Sequence, residues 1–159
     1  MDTVRQQLVS AVISRLQEIN TENTYLSEGE EINYQTNIGS VRDWETNFQE
    51  DELPAISVCD LSEPVEMDRG SINQLNNLKI LLRIFQSSED SAEFLRKAFG
   101  DIFASLGQDK RWKVGEVGLA VGTIINSSDI LFKPDAFELG GGQVIITIIY
   151  TTKAFNAFT

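Results

Sequence analysis

Leu78-Lys79-Ile80-Leu81-Leu82-Arg83-Ile84-Phe85 decides the fold when it is read together with residues 86–107. Leu78, Ile80, Leu82 and Ile84 alternate along one face, as in a β-strand with one side in a core. On the other face Leu81 and Phe85 are interleaved with Lys79 and Arg83, so that side is only partly dry. After the polar Gln86-Ser87-Ser88 the period changes. Leu95, Phe99, Ile102 and Leu106 fall at spacings of four, three and four, flanked by Ala92 and Phe103, which predicts a helix. Asp90 with Glu93 fits a capping box, Ser87 or Ser88 are rival caps, and Gly107 is the expected stop. A strand feeding a helix that lies back on a sheet is the frame for the rest.

Working outward, residues 2–19 carry Val4, Leu8, Val12 and Leu16 at steps of four, extended by Ala11 and Ile19 and widened by Val9 and Ile13. This predicts an amphipathic helix capped by Asp2 or Thr3. Residues 20–29 are polar and turn-like. Residues 30–38 alternate, with Ile32, Tyr34, Thr36 and Ile38 on one side, and predict a strand with one wet face. Val41, Trp44 and Phe48 recur at helical spacing within 40–49, as a short helical turn or a loop anchored by its aromatics. Leu53-Pro54 introduces a short apolar strand, 55–59. Asp68-Arg69-Gly70-Ser71 is a turn in the connection from Asp60 to Asn77. Residues 114–132 alternate through Val117, Leu119, Val121, Thr123 and Ile125, with glycines at 115, 118 and 122. Gly140-Gly141-Gly142 reads as a flexible turn or hinge. Val144–Tyr150 is apolar on both faces, which places it centrally in the sheet or under cover on both sides.

The expected fold class is therefore α+β: a mixed, largely antiparallel sheet flanked by an N-terminal and a central helix. With 159 residues and 42% hydrophobic content, a single domain over 1–159 is expected, with an acidic loop-rich segment at 20–70 and a tail at 153–159 free to move. No apolar run approaches the roughly 20 residues of a membrane helix. The polar N-terminus does not read as a signal peptide, so a soluble protein held in a cytoplasm is expected.

The same residues narrow the chemistry. The chain has no histidine and one cysteine, Cys59, at the end of an apolar run. Histidine-based triads and zinc sites are excluded, and Cys59 reads as a buried small hydrophobe. The net charge of −11 lies wholly in residues 1–70, which hold 15 acids against 4 bases. Such a surface opposes nucleic-acid binding by charge neutralisation and suits a solvated face or a basic partner. Glu50-Asp51-Glu52, the densest acidic run, is a poor metal site because neighbouring carboxylates in a loop do not converge. Lys110-Arg111-Trp112 is the one basic cluster; its tryptophan reads as the cover of the core's lower end. Gly140–Gly142 lacks the Lys-Ser/Thr of a phosphate loop, and no cofactor fingerprint or metal set is present. The residues themselves point to an interaction or assembly protein. Candidate contacts with other subunits or partners are Trp44, Phe48, Glu50, Asp51, Glu52, Lys110, Arg111, Trp112, Phe155 and Phe158.

The order of elements resembles the tail-terminator and minor tail proteins of long-tailed bacteriophages and prophages. The likeness rests on the helix Val4-Arg5-Gln6-Gln7-Leu8 to Ile19 and on an acidic segment running into Glu52-Leu53-Pro54-Ala55-Ile56-Ser57-Val58. The strand 78–85, the helix ending Asp101-Ile102-Phe103-Ala104-Ser105-Leu106 with Asp109 and Trp112 after it, and a closing strand at Tyr150 complete it. The resemblance implies a structural virion protein, not an enzyme, without cofactor. It implies a ring, commonly hexameric, on the head-proximal end of the tail, assembled in the host cytoplasm. The ring's partners would be itself, the tail tube protein and a head-completion or neck protein. There would be no membrane or sequence-specific nucleic-acid partner, though DNA would pass through the lumen. Six copies at −11 would carry −66, a lining on which DNA slides. A head–tail joining protein of similar fold is the alternative. A small enzyme acting through Asp43, Glu50, Asp51 and Asp60 is a third reading.

Overall fold

The computed structural model describes residues 2–67, 72–87, 91–114, 116–133, 138–156 and 158, the backbone alone at 138 and 139. Helix α1 spans Val4–Leu16, and its Thr3 hydroxyl caps it by accepting the Gln6 N–H at 3.1 Å. Its stripe of Val4, Leu8, Val12 and Leu16 is buried as the spacing requires, and Val9 and Ile19 are buried with it. Helix α2 spans Ala92–Gly107 and buries Leu95, Ala98, Phe99, Ile102 and Leu106. Its cap is Ser91, which accepts from the Phe94 N–H at 3.4 Å. Ser91 thus takes the role given above to a capping box or to Ser87; Ser88 and Asp90 lie outside the described residues.

The fold is α+β with a mixed, mostly antiparallel sheet and these two helices. Strands β3 (Ser40–Asp43), β4 (Ala55–Ser62), β6 (Asn73–Phe85), β10 (Glu138–Lys153) and β9 (Gly122–Lys133) lie side by side in that order. Among the described pairings only β3–β4 is parallel; short β5 (Val65–Glu66) pairs beside the start of β6. Two small ribbons stand apart: β1 (Thr24–Ser27) with β2 (Glu30–Asn33), and β7 (Lys113–Val114) with β8 (Val117–Gly118). The strand 78–85 and the apolar strand near the C-terminus are both real, and they pair with each other as Leu82↔Val144, Ile80↔Ile146 and Leu78↔Ile148. These rows, with Ile56 and Val58, face both helices and form the core. Each fully buried Leu or Ile there contributes about 1.5–3 kcal/mol.

Four expectations are corrected. Residues 20–29 include β1, whose turn at Ser27–Glu30 places Glu28 and Gly29 at positive φ. The strand expected over 30–38 stops at Asn33. Tyr34 and Thr36 do point inward, but residues 34–38 pair with no described strand; the N–H groups of Gln35 and Thr36 go to the Asp101 carboxylate instead. Residues 40–49 begin as strand β3, which was not expected, and continue as a loop with Phe48 packed on Phe85, the second of the two readings given for them. Gly140–Gly142 lies inside β10, where a bulge follows Leu139 and Gly141 has φ +92°. A side chain at Gly141 would strike the Ile84 carbonyl, and one at Gly142 would meet the Phe99 ring at 2.9 Å, so close approach selects these glycines rather than hinge motion. The turn expected at 68–71 lies outside the described residues.

Candidate functional site

Arg5 on α1 reaches across to one end of the sheet, where polar side chains from several elements meet. Its Nε donates to Asp60 Oδ2 at 2.7 Å and its Nη1 to Glu63 Oε2 at 3.3 Å. The other Asp60 oxygen accepts from Trp44 Nε1 at 2.8 Å, and the other Glu63 oxygen accepts from the Tyr150 hydroxyl. Beside them Asn76 donates to Thr152 Oγ1 at 2.9 Å, and both are buried. Burial pushes the Asp60 pKa up, but the hydrogen bonds from Trp44 and Arg5 and the nearby positive charge overcome it, so the carboxyl stays below its usual range. Burial and then the bond and charge of Glu63 raise the Tyr150 phenol far above its ordinary value. A cavity of about 300 Å³ opens here between Thr3, Gln74 and Phe155. Every carboxylate oxygen on its wall already has a partner. The cluster joins α1 to β4 and β10, and offers no free base for chemistry.

The carboxylates of the enzymatic reading do not come together elsewhere. Asp60 is held as described, Asp43 ends β3, and Glu50 and Asp51 stand exposed on a 3-10 turn, Glu50–Glu52. A second cavity of about 300 Å³, between Phe48, Leu53, Phe85 and Gly141, has none of the four on its walls. Among the described residues no three His, Cys, Asp or Glu side chains are grouped to hold a metal ion. No described helix is long and apolar enough to cross a membrane. No protein-family model matches the sequence, and no curated protein compared with it does either.

The candidate contact residues fall in three places. Trp44 is 54% exposed at the end of β3, and Phe48 packs on Phe85 with ring centroids 5.2 Å apart. Glu52 pairs with Arg42, which leaves Glu50 and Asp51 as the free acids of that loop among described partners. At the far end of α2, Lys110 and Arg111 are exposed, but Trp112 is only 1% exposed. Its indole lies 4.1 Å under the Arg15 guanidinium and donates to Thr123 Oγ1 at 2.8 Å. Trp112 therefore covers the core, as its alternative reading held, and has no surface to give a partner. Phe155 is fully exposed at the third place, and Phe158 is half exposed.

Two larger surfaces were not singled out in the sequence. The sheet's second face holds Leu75, Leu81, Ile145 and Ile149, half-buried and outside the core cluster, around exposed Lys79 and Arg83. Both helices pack on the opposite face. Strand β9 is the other surface: twelve residues long, it pairs with β10 on one side and with no described strand on the other. It exposes Ile124, Ile125, Ile130 and Phe132. An edge of this length, with exposed apolar side chains at both ends of a polar middle and no described strand beside it, is the kind of surface that invites a further strand. The interleaving of Lys79 and Arg83 with Leu81 and Phe85 was the signal for the open face.

Proposed function

We propose that this chain is a structural subunit that works by assembling with copies of itself, as a ring that caps the tail tube of a long-tailed phage. In that role it ends tube growth and forms the tail side of the joint to the head. One observation carries the assembly half of the reading: among the described residues no element covers the sheet's second face or pairs with the outer side of β9, whose Ile124, Ile125, Ile130 and Phe132 are exposed. Exposed apolar area of this kind is what partner chains bury. The fully paired state of the Arg5–Asp60–Glu63–Tyr150 cluster favours a structural role over a catalytic one. The tail-specific half rests on the resemblance in element order described above.

Imaging purified tails with and without the protein tests it. A ring of density at the head-proximal end, lost on deletion of the gene together with overlong tails, is the expected result. Tails of normal length detached from filled heads would instead identify a head–tail joining protein. Tails of unchanged length and attachment would refute both.

A further inference from the structure

We propose that the open sheet face of one subunit receives the acidic β1–β2 hairpin of a second copy of this chain, head to tail. The proposal rests on the reading of the chain as a ring subunit and names the joint between neighbours. The hairpin is a two-stranded ribbon outside the main sheet, and alone such a ribbon is marginal. It is held to α2 by Gln108, whose side chain both donates to the Leu26 carbonyl and accepts from its N–H, each at 3.0 Å. The stretch from Asn20 to Val41 contains no Lys or Arg. Glu22, Glu28, Glu30 and Glu31 are all exposed there, and none pairs with a described cation. Leu26 and Ile32 are exposed among them.

The open face has the complementary composition. Register aligns Lys79 with Thr147 and Ile124, Leu81 with Ile145, and Arg83 with Gln143, giving cations spaced by an apolar row. Neither Lys79 nor Arg83 pairs with a described acid; Asp129 at the far strand accepts from Gln143 at 3.4 Å. Geometry sets the symmetry. The hairpin packs on α2, and α2 lies on the sheet's covered face, so hairpin and open face look in opposite directions. One neighbour cannot meet both. The contact is therefore heterologous, and heterologous contacts close into rings or run on as filaments.

Charge reversal tests the pairing in the intact chain. One variant carries Glu30→Lys and Glu31→Lys; the other carries Lys79→Glu and Arg83→Glu. All four positions are exposed, so circular dichroism and melting should match the parent. Sedimentation velocity at low salt, up to about 1 mM protein, should show association of the parent and at least about tenfold weaker association of each variant alone. An equimolar mixture should recover it, because each reversed surface then meets its complement in alternate positions. Association of either variant at parental strength overturns the pairing. So does a mixture that stays apart, or a parent that stays monomeric throughout. Rings on tails that persist with both variants would overturn the pairing but leave the ring; absence of any ring on tails would overturn the ring itself.

Discussion

Asp101→Ala should be the most damaging single change outside the apolar core. Asp101 sits in the third turn of α2 and is 1% exposed, and no described cation pairs with it. Its carboxylate accepts the Thr36 N–H at 2.7 Å, the Thr36 hydroxyl at 2.6 Å and the Gln35 N–H at 3.0 Å. It thus does for residues 34–38 what a neighbouring strand would do: it satisfies backbone donors that burial has taken from water. A hydrogen bond to a charged group contributes about 1.5–3 kcal/mol, and a buried donor left orphaned costs about 1–3 kcal/mol. The Gln35 N–H lies near solvent and recovers a water, so the two Thr36 donors dominate. The expected loss is about 3–5 kcal/mol, a large part of a typical domain's stability. Asp101→Asn keeps the shape and one acceptor, and should lose about 2 kcal/mol. Urea unfolding gives these numbers, and amide exchange locates them: Gln35, Thr36 and the β1–β2 hairpin they tether should exchange faster in both variants. A loss below about 1 kcal/mol in Asp101→Ala, with an unchanged urea slope and protected Thr36, would refute the account.

The polar cluster gives two pH signatures of opposite sign. Tyr150's folded pKa lies above its unfolded value, so its contribution is complete below about pH 10 and is lost as pH rises beyond it; Tyr150→Phe should remove that alkaline loss in pH-dependent melting. Asp60's folded pKa lies below its ordinary value, so its contribution is present above about pH 4 and fades as pH falls through the folded pKa. Asp60→Asn should be about 1 kcal/mol less stable at neutral pH, and its stability should decline less on acidification. Gly142→Ala should cost about 1–3 kcal/mol by thermal unfolding, because the added methyl meets the Phe99 ring, and Phe99→Leu in the same chain should recover part of it.

The two helices and the strand 78–85 were legible because each has one buried face and an unbroken period: Val4, Leu8, Val12 and Leu16, or Leu78, Ile80, Leu82 and Ile84, could hardly face elsewhere. Residues 144–150, apolar on both sides, announced a central strand but not which side meets the helices; Val144, Ile146 and Ile148 do, and Ile145 and Ile149 lie on the other face. Residues 30–38 show where periodicity stops informing. Their alternation is real and Tyr34 and Thr36 do point inward, yet the hydrogen-bond partner is a carboxylate 65 positions away, which no local pattern announces. The glycines at 140–142 misled for a related reason. Flexibility is a property of the residue alone, whereas the requirement here comes from Ile84 and Phe99 on other elements. Trp112 covers the core beneath Arg15 while Lys110 and Arg111 face water, as an aromatic among cations suggested; only its place among the candidate contacts fails. The open sheet face was readable in part: a second strand face mixing Lys and Arg with Leu and Phe marks a side that no described helix covers. That two such faces stand next to each other required the β6–β10 register.

That register also changes what the charge of −11 implies for a ring. If all the acids lined a lumen, six like-charged subunits would repel, and added salt would screen that repulsion and strengthen the assembly. The hairpin that carries Glu28, Glu30 and Glu31 packs on α2, on the other side of the sheet from Lys79 and Arg83, so in the proposed joint these acids meet a neighbour's cations instead of facing DNA. Attraction at the joint is screened as well, and salt then weakens the ring. Asp43, Glu50 and Asp51, at the β3 end of the sheet, remain free for a lumen in either case. The two arrangements therefore give salt dependences of opposite sign. Subunit association that falls as sodium chloride is raised from about 0.05 to about 0.5 M supports the hairpin joint. Association that rises over the same range would assign the acids to the lumen and leave the hairpin without its proposed partner.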